Sequence, residues 1–196
     1  MNRLLFAATA VFAMAAVPAM AHTGAGPVSG LTAGFGHPIG GLDHVLAMVA
    51  VGVLAVQQGG RSLWAVPAAF VGMMVVGGLL GMAAFPVPFV EIGIVGSVVV
   101  LGGVIAAGRQ VPMGVAVALA GVFAVFHGHA HGTEMPIDAS GVAYAVGFVL
   151  ATALLHGAGI GLTQAVQKTI QQRAPIAVRL GGGALAAAGL ALFAGA

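Results

Sequence analysis

Six apolar stretches of about 20 residues, each long enough to cross a bilayer as a helix, alternate with short breaks along this chain. They predict spans at 37–57, 63–83, 88–107, 112–131, 139–165 and 177–195. Gln57-Gln58-Gly59-Gly60-Arg61-Ser62 ends the first, Phe85-Pro86-Val87-Pro88 the second and Gly108-Arg109-Gln110-Val111-Pro112 the third. The run from Gly132 to Ser140 ends the fourth, and the polar run from Gln164 through Arg173 to Pro175 ends the fifth. Every loop is short, so neighbouring helices are expected to run antiparallel.

A further apolar stretch precedes these six and has a different character. Arg3 supplies a positive start, Leu4 to Val17 an apolar core, Pro18 a break, and Ala19-Met20-Ala21 a small-x-small cleavage site. Residues 1–21 therefore read as a signal peptide, against the alternative of an uncleaved first helix. Cleavage would leave His22 as an extracytoplasmic N-terminus, able to chelate a metal through its α-amine and its ring. The expectation is an all-α, polytopic membrane protein, with a six-helix transmembrane domain at 22–196.

Composition agrees. Hydrophobic residues make up 60% and charged residues 5%, too little polar surface to cover a water-facing globule. The formal charge of +2 is too small to argue for nucleic acid, and the absence of cysteine excludes disulfides, iron–sulfur clusters and thiolate metal sites. Arg61, Arg109, Lys168, Arg173 and Arg179 all fall on one side of the predicted topology, and Glu91, Glu134 and Asp138 on the other. The positive-inside rule makes the basic side cytoplasmic and puts the mature N-terminus in the periplasm of a bacterial inner membrane. Gly36/Gly40, Gly77/Gly81 and Gly157/Gly161, each four apart, predict close helix packing. A homo-oligomer is compatible with the sequence. The three-plus-three layout suggests no inverted repeat, because the motifs do not map onto each other under inversion.

Against this apolar background most histidines and acids fall into two clusters. They are Gly36-His37-Pro38-Ile39-Gly40-Gly41-Leu42-Asp43-His44 and Phe126-His127-Gly128-His129-Ala130-His131-Gly132-Thr133-Glu134. Ionisable groups are expensive at membrane depth, so bunched ones mark a functional site. In the first predicted span Pro38 suits the first turn of a helix, and His37 and His44, seven apart, share a face. Asp43 lies to the side, either to ligate or to accept a hydrogen bond from a ring N–H. In the fourth, His127, His131 and Glu134 form a stripe at i, i+4, i+7, and His129 faces elsewhere. Both stripes belong to the outer half of the membrane and can converge. His156, deep in the fifth span one turn after Thr152, is a candidate inner binding or proton-handling position. Glu91 opens the third span where it can draw cations. Nitrogen and oxygen donors without thiolate suit nickel, cobalt, zinc or manganese, with Met48 and Met135 leaving copper open. Met73, Met74, Met82 and Met113 read as apolar filler. The glycines beside the ligands (Gly36, Gly40, Gly41, Gly128, Gly132, Gly157) are expected to leave room for an ion path.

The two motifs, the leader and the six-span layout together resemble the HupE/UreJ family, small bacterial membrane proteins encoded with hydrogenase or urease genes and regarded as nickel permeases. The resemblance covers nearly the whole chain. It implies metal-handling roles for His37, Asp43, His44, His127, His131 and Glu134; His22, His129, His156 and Glu91 are secondary candidates on their residue chemistry and position alone. It further implies Ni²⁺ as transported ion (Co²⁺ or Zn²⁺ as alternatives), no permanently bound cofactor, and an indirect link to nickel-enzyme maturation proteins. No nucleotide-binding motif is present, so uptake would be passive, gradient-driven or partner-driven. Because imidazolium does not bind metal, it should fall as external pH drops below about 6.5. The competing readings are an intramembrane zinc lipid hydrolase, with Asp43 or Glu134 activating water, and a metal-sensing or assembly factor.

Overall fold

A computed structural model describes residues 30–137 and 139–195 of the chain. The expected leader at 1–21, His22 and Asp138 lie outside the described residues. Within them the chain is helical throughout, with no strand: α1 (Gly30–Gly40), α2 (Leu42–Gln58), α3 (Ser62–Met82), α4 (Val90–Ala107), α5 (Met113–Thr133), α6 (Gly141–Ile170), a 3-10 turn (Gln171–Arg173) and α7 (Ala174–Gly195).

The first predicted span is corrected. Instead of one helix opening at His37, α1 starts at Gly30 and meets α2 at an angle of 83°. The break falls at Gly41, whose backbone is extended (φ −103°, ψ 122°) and interrupts the helical hydrogen-bond ladder. Pro38 sits in the last turn of α1, where its missing N–H further weakens that ladder. His37 and His44 therefore lie on different helices rather than on one face.

Among the described residues, four helical stretches are long and apolar enough to cross a membrane, five if the bent α1–α2 pair counts as one span, against the six expected. The difference lies at the C-terminal end, where α6, the 3-10 turn and α7 abut over 55 residues with no non-helical residue between them and so count as one stretch. The expected break at 164–175 is a tight reversal at Gln171, with φ 30° and ψ −92°, rather than an open loop. Whatever the count, this is a multi-pass helical architecture.

Glycines set how closely the helices approach. α3 and α5 run parallel in backbone contact, Gly77 against Val125 and Gly81 against His129, with Gly128 and Gly132 facing Met74 and Gly78 in return. α4 and α7 run antiparallel, Gly102 against Ala186 and Gly108 against Arg179. α6 receives α1 through Gly34 and Gly147, and α2 through Gly52 and Gly159. Of the three predicted glycine pairs only Gly77/Gly81 packs in this way. Gly36, Gly40, Gly157 and Gly161 face open space.

The two ends of the bundle differ in chemistry. At one end Gln57, Gln58 and Gln110 hydrogen-bond backbone groups between α2 and the α4–α5 connection, and Arg179 Nε donates to the Ala106 carbonyl at 3.0 Å. At the other end stand His37, Asp43, Glu91 and Glu134. The site lies just inside this acidic end.

Candidate metal centre

The break at Gly41 and the glycine-lined face of α5 bring the two motifs together. Four imidazoles form a continuous cluster: His37 against His131 (ring centroids 4.8 Å), His131 against His44 (4.9 Å) and His44 against His127 (4.8 Å). Glu134 closes the group, accepting from His37 Nε2 at 3.0 Å, so that the first motif is tied to the second by a hydrogen bond. His127 and His131 are fully buried and His44 nearly so.

Two neighbours fix which ring nitrogens face the cluster. His44 Nδ1 donates to Asp43 Oδ1 at 2.8 Å, and the same carboxylate oxygen accepts the His44 backbone N–H at 2.8 Å. That leaves His44 Nε2 carrying the lone pair, buried and without a partner. Asp43 thus takes the second of its two expected geometries, orienting its neighbour's ring as carboxylates do behind metal-binding imidazoles. On α4, the Ser97 hydroxyl donates to the Ile94 carbonyl, so its oxygen accepts from His127 Nε2 at 3.0 Å and leaves His127 Nδ1 free. His131 has neither nitrogen partnered and stacks on Phe148, 5.4 Å away and nearly parallel at 18°. A buried polar nitrogen with no hydrogen bond is destabilising, commonly by about 1–3 kcal/mol, and here such nitrogens gather on adjacent rings. The donor set, imidazole nitrogen with carboxylate oxygen close by, fits a borderline divalent cation. The rings are packed largely edge to face, however, and among the described residues no group of three or more such side chains stands ready to hold a metal ion.

Gly41 is essential to this local geometry. A Cβ there would lie 2.7 Å from Asp43 Oδ1 and 3.0 Å from His44 Nδ1, in the middle of their hydrogen bond. Gly128 and Gly132 do not open an ion path as expected. They face α3, while His127 and His131 both reach His44 on α2 and His131 also stacks on Phe148 of α6. Gly36, Gly40 and Gly157 line open space outside the cluster rather than a path through it.

The secondary candidates separate. His129 points away, its Nε2 donating to the Phe85 carbonyl at 2.8 Å and holding the α3–α4 connection. Glu91 does not touch the histidines; with Asp43 and the last residues of α7 it lines a surface cleft of about 540 Å³. His156 is buried, with both ring nitrogens unpartnered, beside Phe70.

Three participants were missed in the sequence reading. Ser97 is the lone polar residue of its helix beyond Glu91 in the first turn, and that isolation was a usable signal. Tyr144 stands 6.2 Å from His37, ring to ring, with its hydroxyl buried and unpartnered. Phe148 supports His131. The last two belong to a stripe on α6 (Tyr144, Phe148, Thr152, His156) that only its four-residue spacing would have revealed.

The HupE / UreJ protein family matches residues 9–192, a stretch containing both motifs. The chain belongs to the HupE/UreJ family. A curated HupE/UreJ relative, Protein HupE of Rhizobium leguminosarum bv. viciae, is 42% identical over 188 residues, covering 95% of this chain and 97% of the relative. No solved structure matches.

Proposed function

We propose that this HupE/UreJ protein is an inner-membrane permease for a divalent transition-metal ion, nickel first, supplying metalloenzyme maturation. The observation that carries the reading is the set of unpartnered imidazole nitrogens on His44, His127 and His131, gathered beside a carboxylate at one end of an apolar helical bundle. The ion is the cargo. His37 and Glu134 stand at the mouth, partly exposed, and would strip and hand over the arriving ion. His44, His131 and His127 would bind it deeper, after their rings rotate out of mutual contact. Asp43 and Ser97 hold the two tautomers that present free lone pairs. Glu91, on the cleft beside Asp43, adds negative potential that draws cations to this end. With the basic end cytoplasmic, the direction is inward.

Transport is favoured over hydrolysis because the ligands are strung over several depths, whereas a catalytic zinc site needs three ligands around one open position. The test is uptake of nickel, cobalt, zinc and manganese by proteoliposomes holding the purified protein, with His44→Ala as control. Saturable uptake that disappears in His44→Ala is expected. Tightly held zinc with no uptake of any metal would overturn the permease reading in favour of the hydrolase.

A further inference from the structure

The stripe on α6 serves as a depth gauge. Tyr144, Phe148, Thr152 and His156 are four apart on α6, so each lies about 6 Å further along the helix than the one before. Tyr144 meets His37, Phe148 meets His131, Thr152 donates to Met74 Sδ at 3.6 Å, and His156 meets Phe70. The stripe leads from the mouth, past the histidine cluster, to a second unpartnered imidazole. Between the cluster and that imidazole stands one ring. Phe70, fully buried on α3, is 5.5 Å from His127 and 5.1 Å from His156, the latter edge to face at 89°.

We infer that Phe70 is the barrier of the permeation path, separating the outer histidine cluster from an inner binding position at His156. The inference rests on the permease reading for its cargo, but the barrier itself is a property of the packing. His156 is 2% exposed, and neither ring nitrogen has a protein partner. Phe70 and the Thr152–Met74 pair beside it carry no charge, and His127 is the titratable group within electrostatic reach. A polar ring is held there at a cost, and Phe70 covers its approach from the cluster. A phenyl ring across a narrow apolar passage excludes water and hydrated ions, as hydrophobic constrictions do in channels. An ion leaving His127 must displace that ring before reaching His156. Phe70 therefore sets the rate of passage and does not contribute to binding at the outer cluster.

The chain contains no cysteine, so His156→Cys introduces a single thiol behind the barrier. The full-length variant in spheroplasts is exposed from outside to a membrane-impermeant charged thiol reagent. With Phe70 present, labelling is expected to be slow; adding Phe70→Ala should raise its rate about tenfold or more, and the milder Phe70→Leu should raise it less. Should Phe70→Ala not accumulate as folded protein, Phe70→Leu decides alone. Fast labelling with Phe70 in place, or a rate indifferent to residue 70, overturns the barrier. In parallel, nickel binding and uptake are measured on otherwise unaltered protein. Phe70→Leu should leave equilibrium binding within about twofold while changing the uptake rate. Reduced binding in step with uptake would instead make Phe70 a support of the outer cluster and overturn the proposal. If unaltered protein neither binds nor carries nickel, cobalt, zinc or manganese, the permease reading fails, and the thiol result still decides whether Phe70 seals the path.

Discussion

In α5 the helix runs unbroken from Met113 to Thr133, and His127 and His131 share a face because four residues make little more than one turn. The other motif reaches the same cluster by the opposite means. Its helix breaks through 83° at Gly41, so His37 arrives from α1 and His44 from the first turn of α2. One motif positions its rings by periodicity and the other by interrupting it. The continuous segment owes its precision to the helix it packs against, since Gly128 and Gly132 lock α5 to α3. The broken segment owes it to side-chain hydrogen bonds, His44 to Asp43 and His37 to Glu134. Damage to the first should therefore appear as lost fold, and damage to the second as lost binding.

The largest expected effect tests the continuous side. Gly128→Ala places a Cβ against the Met74 carbonyl, where only backbone can give way. Destabilisation of about 1–3 kcal/mol is expected, read as a lowered melting temperature in detergent. Gly157→Ala, facing open space, should stay within about 0.5 kcal/mol of the parent; equal damage from both would remove the distinction between the two motifs.

On the broken side, Gly41→Ala should leave the melting temperature nearly unchanged yet weaken nickel binding about 10–100-fold, by displacing Asp43 from His44. Titration calorimetry should give a similar loss for Asp43→Asn, and little further loss when the two are combined. Additive losses would mean that Gly41 acts through the bend and not through the Asp43–His44 pair.

The smallest effect separates orientation from anchoring. Ser97→Ala frees the His127 tautomer and should weaken nickel binding about tenfold. His129→Ala, which loses only the bond to Phe85, should cost about 1 kcal/mol of stability with no change in nickel affinity. A binding loss in His129→Ala would bring that ring back into the metal path.

How much of this was legible in the sequence follows the same division. The apolar runs gave the helical membrane character, and the spacing of His127, His131 and Glu134 gave their common side because the helix between them is regular. The first motif misled. Among 33 glycines, Gly40-Gly41 carries no mark distinguishing a break from a packing contact, and a proline fits either end of a helix. Glycine pairs at four-residue spacing could not reveal whether a partner helix faced them, since Gly157/Gly161 and Gly77/Gly81 read alike and only the second pair packs. The reversal at Gln171 hid in a polar run expected to form a loop. Convergence of the two stripes was allowed by their common depth but depends on helix order, which no motif encodes.

The glycine contacts also have a mechanical consequence. Helices joined backbone to backbone cannot tilt against each other without opening a gap, so α3 moves with α5, α4 with α7, and α6 with the helices seated on it. Phe70 rides on the first of these units and His156 on the third, and among the described residues the glycines between α3 and α6 meet side chains, Gly78 against Phe148 and Gly141 against Met82, rather than backbone. The seal between them can open by one unit sliding past another while every helix stays intact. A disulfide joining α3 to α5 should thus leave uptake running, and one joining α3 to α6 near Phe70 should stop it until reduced.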